Sequence, residues 1–324
     1  MNQQNAQKIK DLIQLEYDNI TGIVVSKNDE IVLENYFDGY QQNDTVHVAS
    51  VTKSIVSVLV GIAIKKGAIK STEQNILDFF PNYKLKRGEK TLQKITIRDL
   101  LTMTAPYKYK YEPYTKVYSS DDWTKAVLDL LGGKKEIGTF KYTTIGIQVL
   151  SGILTNATGK TVLDFAREHL FTPLGIKTPT NYSINDKETY FSFLKDRHVS
   201  GWVVDPKGVH TAGWGLALTT RDLIQIGLLY LNKGIWNGVQ ILSQQWVEES
   251  TKTQSKWGTR SYGYLWWVIT ESDANLNCYA AIGDGGNVIF VSPEKKVVIA
   301  ITSRFMPRAK DRIEFIKKHL LPLL

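Results

Sequence analysis

The stretch "HVASVTKSIVSVLVGIAIKKG", His47 to Gly67, decides how this chain is read. It is apolar at nearly every position from Ile55 to Ile64 and closes on Lys65, Lys66 and Gly67, which predicts a helix over Ser50–Lys66 with a glycine stop. A helix that is apolar all round is a buried helix. At its mouth Ser50 and Lys53 stand one turn apart and face the same way. A serine hydroxyl is a poor nucleophile until a base takes its proton, and a lysine amine serves as that base once burial disfavours its charged form. The helix dipole at the first turn then favours the anionic side of the reaction. Ser-x-x-Lys also occurs at Ser192/Lys195 and Ser292/Lys295, and a serine start with a lysine one turn on is equally an ordinary helix entrance. Ser292 runs into Pro293 at a strand turn, and Phe191–His198 lacks a strong helical pattern, so only Ser50 opens a buried helix.

Working outward, "GIVVSKNDEIVLENYF" places two β-rich runs around a Lys27–Glu30 turn, and "NVIFVSPEKKVVIAITSRF" repeats the pattern around Pro293 and Glu294. Two hairpins at opposite ends of one chain suggest a shared antiparallel sheet covered by helices. Between them "TIRDLLTMT", "DDWTKAVLDLLGG", "TTIGIQVLSGILTNATG", "TVLDFAREHL" and "TTRDLIQIGLLYLNKG" pair Thr or Asp starts with helical apolar spacing and predict five more helices. Tyr107 to Trp123 carries five tyrosines without periodicity and reads as a long ordered loop, a type of segment that tends to be functional. No internal repeat or low-complexity linker divides the chain, so one interwoven unit is expected.

With 324 residues, of which 43% are apolar, the chain has ample material for a core. Its net charge of +8 is scattered, with no basic helix or arm, and this argues against nucleic acid as a partner. The first twenty residues lack the apolar core of a signal peptide, and the longest apolar run is broken by Ser57 and Gly61. A cytoplasmic protein without a membrane span is the expectation. Cys278 is single and reads as a small core residue. His47, His169, His198, His210 and His319 show no metal-ligand spacing, and "GDGG" lacks the Lys-Ser/Thr of a phosphate cradle, so neither a metal nor a cofactor is expected.

The words around Ser50 go further. "VASVTKSIVSVLVG" resembles the first motif of the serine β-lactamase and penicillin-binding-protein superfamily, in particular its class C and esterase-like branch. "KITIRDLLTMTA" is similar to the following helix, "GTFKYTTIGIQVLSGIL" to the Tyr-x-Asn or Tyr-x-Ser motif, and the segment from His210 to Trp246 to the branch containing 6-aminohexanoate-dimer hydrolases. "YGYLWWV" and "AIGDGGNVIFVSPEKKVVIAITS" resemble the closing strands with the third motif. The likeness runs in order from about Gly22 to Ser303. It implies that Ser50 is acylated, that Lys53 and Tyr142 share proton transfer, and that amides of Ser50 and of Gly286 or Asn287 form an oxyanion hole. It also implies a substrate-binding role for Thr144 and for the third-motif positions Asp284 and Gly285. Tyr107 and Trp214, with Trp266 and Trp267, are candidate pocket walls, and simple packing is the other reading for the tryptophans. His210 is a candidate because the family places its segment near the cleft.

The chain departs from the family at three points. Asp284-Gly285-Gly286 stands where β-lactam-processing members carry Lys-Thr-Gly or a histidine equivalent, and a carboxylate there repels an anionic substrate. "GDGG" also reads as a plain tight turn. Thr144 replaces Asn or Ser, and neither a Ser-Asp-Asn element nor the glutamate of class A β-lactamases is seen, which leaves deacylation to Tyr142 and Lys53. The expectation is an α/β (α+β) fold of the β-lactamase/transpeptidase type, an antiparallel sheet flanked by helices with a mainly helical insertion. Residues 1–70 and 180–324 would form the sheet domain and 71–179 the helical one, with the site between them. The expected function is hydrolysis of a small ester, amide or peptide-like molecule without a cofactor. The alternatives are a penicillin-binding protein, D-alanyl peptidase or β-lactamase, and a catalytically silent binding protein.

Overall fold

The computed structural model describes residues 1–196, 199–270 and 277–324; His198 lies outside them. Eight strands form one antiparallel sheet: β1 (Ile20–Lys27), β2 (Glu30–Tyr36), β3 (Ser255–Trp257), β4 (Arg260–Tyr262), β5 (Trp267–Thr270), β6 (Asn277–Gly283), β7 (Asn287–Ser292) and β8 (Val297–Ser303). Their order is β2-β1-β8-β7-β6-β5-β4-β3, so the two terminal hairpins meet at β1 and β8, where Lys27 pairs with Val297 and Val24 with Ala300. Both faces of the central strands are covered, which is why β7 and β8 read as continuous apolar runs rather than alternating ones. Val288 and Phe290 pack toward α1 (Gln3–Glu16) and the C-terminal helical turns, among Ile9, Ile13 and Phe315. Ile289 and Val291 face the larger core containing α2 (Val51–Lys65). Cys278 is buried in the first of these clusters.

Five further helices form, and all but α6 start at a side-chain cap. They are α3 (Ile97–Leu101), α5 (Trp123–Leu128), α6 (Gln148–Thr158), α7 (Val162–Ala166) and α9 (Thr220–Leu231). Thr96 with Asp99, and Thr219 with Asp222, make reciprocal capping boxes. Three expectations are corrected. The tyrosine-rich segment is not all loop, because α4 (Tyr114–Tyr118) forms inside it, and Phe191 and Ser192 lie on α8 (Lys187–Lys195), capped by Asp186. The signal for α8 is the Asp186/Thr189 box, which outweighs a weak apolar stripe. α6 begins at Gln148 rather than at Thr143, since the intervening turn is bound elsewhere. Among the described residues no helix is long and apolar enough to cross a membrane.

Candidate active site

α2 is buried along almost its whole length, and the chain enters it through Ala49, whose φ of 49° is in the left-handed region. This bend leaves Ser50 at the N-cap with its side chain making no cap hydrogen bond. The hydroxyl is turned to the lysine instead: Lys53 Nζ donates to Ser50 Oγ at 2.8 Å. The amine also donates to the Gly213 carbonyl at 2.7 Å and lies 3.3 Å from Thr144 Oγ1. Three acceptors satisfy a charged ammonium. A neutral amine keeps two of them and aims its lone pair at the serine proton.

Burial pushes the Lys53 amine down to about 7, with the charges of Glu112 and Asp284 acting the other way. The side chain is 1% exposed and, among the described residues, has no carboxylate within ion-pair distance. Gly213 brings its carbonyl this close because it lacks a side chain: a Cβ there would lie 2.2 Å from the Thr144 oxygen. Tyr142 completes the group. Its phenol is pushed well up by burial, an effect opposed by the nearby Ser50 hydroxyl. Its ring stacks on Trp267 at 5.8 Å, and Lys53 Nζ lies 5.0 Å from its centroid. Ser50, Lys53, Tyr142 and Thr144, taken from two distant segments, thus share one spot. The other two Ser-x-x-Lys matches do not form such a site: Ser192 Oγ bonds Asp196 on the surface, and Ser292 is buried in β7.

The β6–β7 turn closes the site from the sheet side. A Cβ on Gly283 would lie 2.3 Å from Val48 O and 3.2 Å from the Ser50 nitrogen, so this strand end runs against the mouth of α2. Asp284 follows it and is exposed in the cleft. Gly285 and Gly286 take φ of 81° and 97°, the tight-turn reading of "GDGG". Gly286 and Asn287, the expected oxyanion donors, lie within the turn and at the start of β7. Gly286 N donates back to Gly283 O at 3.1 Å, and Asn287 is paired with Gly283 in the sheet. The Asn287 side chain fastens the turn, with Nδ2 on Asp284 O at 3.0 Å and Oδ1 accepting from Ser303 N at 3.0 Å. Asn19 Nδ2 holds Gly285 O at 2.7 Å from β1's side, and Arg312 packs behind Gly286.

Ser50, Thr144 and Asp284 lie at the junction of two arms. One, of about 580 Å³, is walled by His47, Tyr114, Tyr118, Tyr190 and Trp214. The other, of about 840 Å³, runs past Tyr142, Trp257, Trp267 and Phe305 toward Arg260 and Arg308. Trp214 stays in the wall because its Nε1 donates to the Tyr118 hydroxyl at 2.7 Å. Three expected lining residues lie elsewhere. Tyr107 is 1% exposed behind Gly146, Trp266 is core with Nε1 on the Tyr230 hydroxyl at 3.1 Å, and His210 is fully buried with Nε2 at 2.9 Å from Asn181 Oδ1. Burial holds His210 down to about 4 and His47, which accepts from Gly215 N at 3.1 Å, down to about 3, so both are neutral rings at neutral pH. No cluster of possible metal ligands occurs among the described residues.

One functional candidate escaped the sequence reading. Glu112, the single acid between Tyr107 and Ser120, receives the amides of Thr144 at 2.7 Å and Ile145 at 3.1 Å, and so diverts the start of α6. Its position among the tyrosines was the available signal.

Comparison with known proteins bears on the family and the fold. A 6-aminohexanoate-dimer hydrolase of Paenarthrobacter ureafaciens is 23% identical over 321 residues, covering 91% of this chain and 75% of that protein. A class C beta-lactamase superposes with a TM-score of 0.75 at 17% identity, over 99% of this chain and 97% of that one. The octameric penicillin-binding protein homologue of Pyrococcus abyssi gives 0.69 at 19% identity, over 98% and 77%. These solved structures share the expected β-lactamase/transpeptidase fold. The Beta-lactamase family profile matches residues 14–320, and the chain belongs to that family.

Proposed function

We propose that the protein is a serine hydrolase that cleaves a small ester or amide through an acyl-Ser50 intermediate, without a cofactor. What carries the reading is the 2.8 Å hydrogen bond from the buried Lys53 amine to Ser50 Oγ, with the Tyr142 ring 5.0 Å from that amine. The neutral amine takes the Ser50 proton as Oγ bonds to the substrate carbonyl carbon. The amides of Ser50 and Asp284, at the mouth of α2 and the end of β6, receive the developing oxyanion, and each such donor is typically worth about 3 kcal/mol. Tyr142 relays the proton from Lys53 to the departing oxygen or nitrogen, and the bond to the leaving group breaks. Water then enters by the reverse of these steps, giving the acid and free Ser50. The aromatic arm suits an uncharged ring or alkyl chain, and Asp284 beside the nucleophile disfavours a penicillin-like anion.

The test is mass spectrometry after brief incubation with p-nitrophenyl acetate or a fluorophosphonate. The peptide bearing Ser50 is expected to gain the acetyl or phosphonyl mass. An adduct on another residue, or none, removes the reading.

A pH profile follows from the amine. Lys53 works as a base only when neutral, and burial brings its proton loss down to about 7, so activity rises with pH through that point. Below it, kcat/KM for p-nitrophenyl acetate is expected to fall about tenfold per pH unit. A flat profile between pH 5 and pH 8 would exclude Lys53 as the base.

A further inference from the structure

Behind two lining residues of the cleft, Tyr114 and Thr144, lies a carboxylate that this mechanism does not use. Glu112 is half-buried on the segment before α4. Besides the two amides, its Oε1 accepts from the Thr143 hydroxyl, and its Oε2 accepts from the Tyr114 hydroxyl. With the Thr143 proton committed to Glu112, the 2.7 Å contact between Tyr109 and Thr143 has the tyrosine as donor. Four donors therefore converge on one side chain from two directions. Thr143, Thr144 and Ile145 belong to the turn that carries Tyr142, and Tyr114 belongs to the wall of the aromatic arm.

We propose that Glu112 is a positioning residue that clamps the Tyr142–Thr144 turn to the aromatic wall and, with Asp284, sets the charge that Lys53 faces. This rests on reading Ser50 as nucleophile and Lys53 as base. The groups around Lys53 limit the alternatives. Ser50 lies on its own helix, Tyr142 and Thr144 on the turn, the Gly213 carbonyl on the opposite segment and Asp284 on the β6–β7 turn, and neutral His47 precedes the helix. Among the described residues only Glu112 and Asp284 act on Lys53 as anions, and burial opposes both. A neutral amide in place of Glu112 would keep the clamp, since its oxygen accepts the same amides and its nitrogen donates to the Tyr114 oxygen. What it would remove is the charge.

The experiment follows the rate of Ser50 phosphonylation by a fluorophosphonate between pH 5 and pH 9, in the parent, Glu112→Gln and Glu112→Ala. In this reaction the Oγ–P bond forms, fluoride leaves and the serine proton passes to Lys53. Glu112→Ala strands the turn amides, and its high-pH plateau is expected to fall about 30- to 100-fold, as for a displaced catalytic group. Glu112→Gln is expected to recover most of that plateau while the midpoint of the acid limb moves down by about half a pH unit or more, the direction set by loss of a nearby anion. A midpoint that stays with the parent's in Glu112→Gln, or a parent-like plateau in Glu112→Ala, overturns the proposal. Should thermal melting show Glu112→Ala unfolded, the Gln midpoint alone decides. A parent that is never phosphonylated at Ser50 fails the hydrolase reading instead.

Discussion

Ser50→Ala and Lys53→Met are each expected to lower kcat/KM and fluorophosphonate labelling by about a thousandfold or more, and the double variant is expected to fall no further. The two side chains act as one unit. Without the hydroxyl there is nothing to deprotonate, and without the amine the hydroxyl meets only a phenol that burial pushes far up. Steady-state and labelling kinetics on the three variants check this, and multiplicative losses would separate the residues into independent roles. The same replacement has an opposite effect on the fold. The unfolded lysine keeps its proton up to about 10.5 and the folded one only to about 7. The unfolded state therefore binds more protons across that window, so stability rises with pH from 7 to 10.5 and is lowest below 7. Methionine carries no proton to expel. Lys53→Met should thus raise the melting temperature below pH 7, by roughly 1–3 kcal/mol in stability after the loss of the Gly213 and Thr144 contacts, and the gain should fade by pH 10. A variant less stable than the parent at pH 6 would contradict this.

Gly283→Ala is the second. The added methyl would meet Val48 O at 2.3 Å and the Ser50 nitrogen at 3.2 Å, both backbone atoms with little freedom to yield. The end of β6 must then draw back from α2, carrying the Asp284 amide with it. A misplacement of about 1 Å at a reacting centre costs on the order of a hundredfold, and that loss in kcat is expected. Overpacking at a buried backbone contact should also remove about 1–3 kcal/mol of stability, read from chemical denaturation. Parent-like kinetics would mean that this strand end does not contribute to the oxyanion site.

How much of this was legible depends on how local each signal is. α2 and the terminal hairpins announce themselves because their periodicities and turns lie within one short segment. The oxyanion amide proposed here, that of Asp284, could not be singled out within "GDGG", because successive amides look alike until the Gly283–Asn287 pairing forms. Tyr107 and His210 have the right chemistry for a cleft, yet the core takes them, and nothing in their neighbouring residues separates a buried ring from an exposed one. Glu112 could not be tied to the site beforehand, since its partner Thr144 is 32 residues away and the bond exists only once the turn has formed.

The meeting of the chain's ends at β1 and β8 has a temporal meaning. In a polypeptide made from its amino end, β1 emerges with one edge bare and waits for a partner 270 residues later, from Lys27 to Val297. Such distant pairing is slow, and a bare edge invites wrong neighbours meanwhile. The Asp284 turn is fastened by Asn19, Ser303 and Arg312, so it too must wait for the last strand. Until β8 has been made, the proposed nucleophile on α2 would lack the fastened turn that faces it.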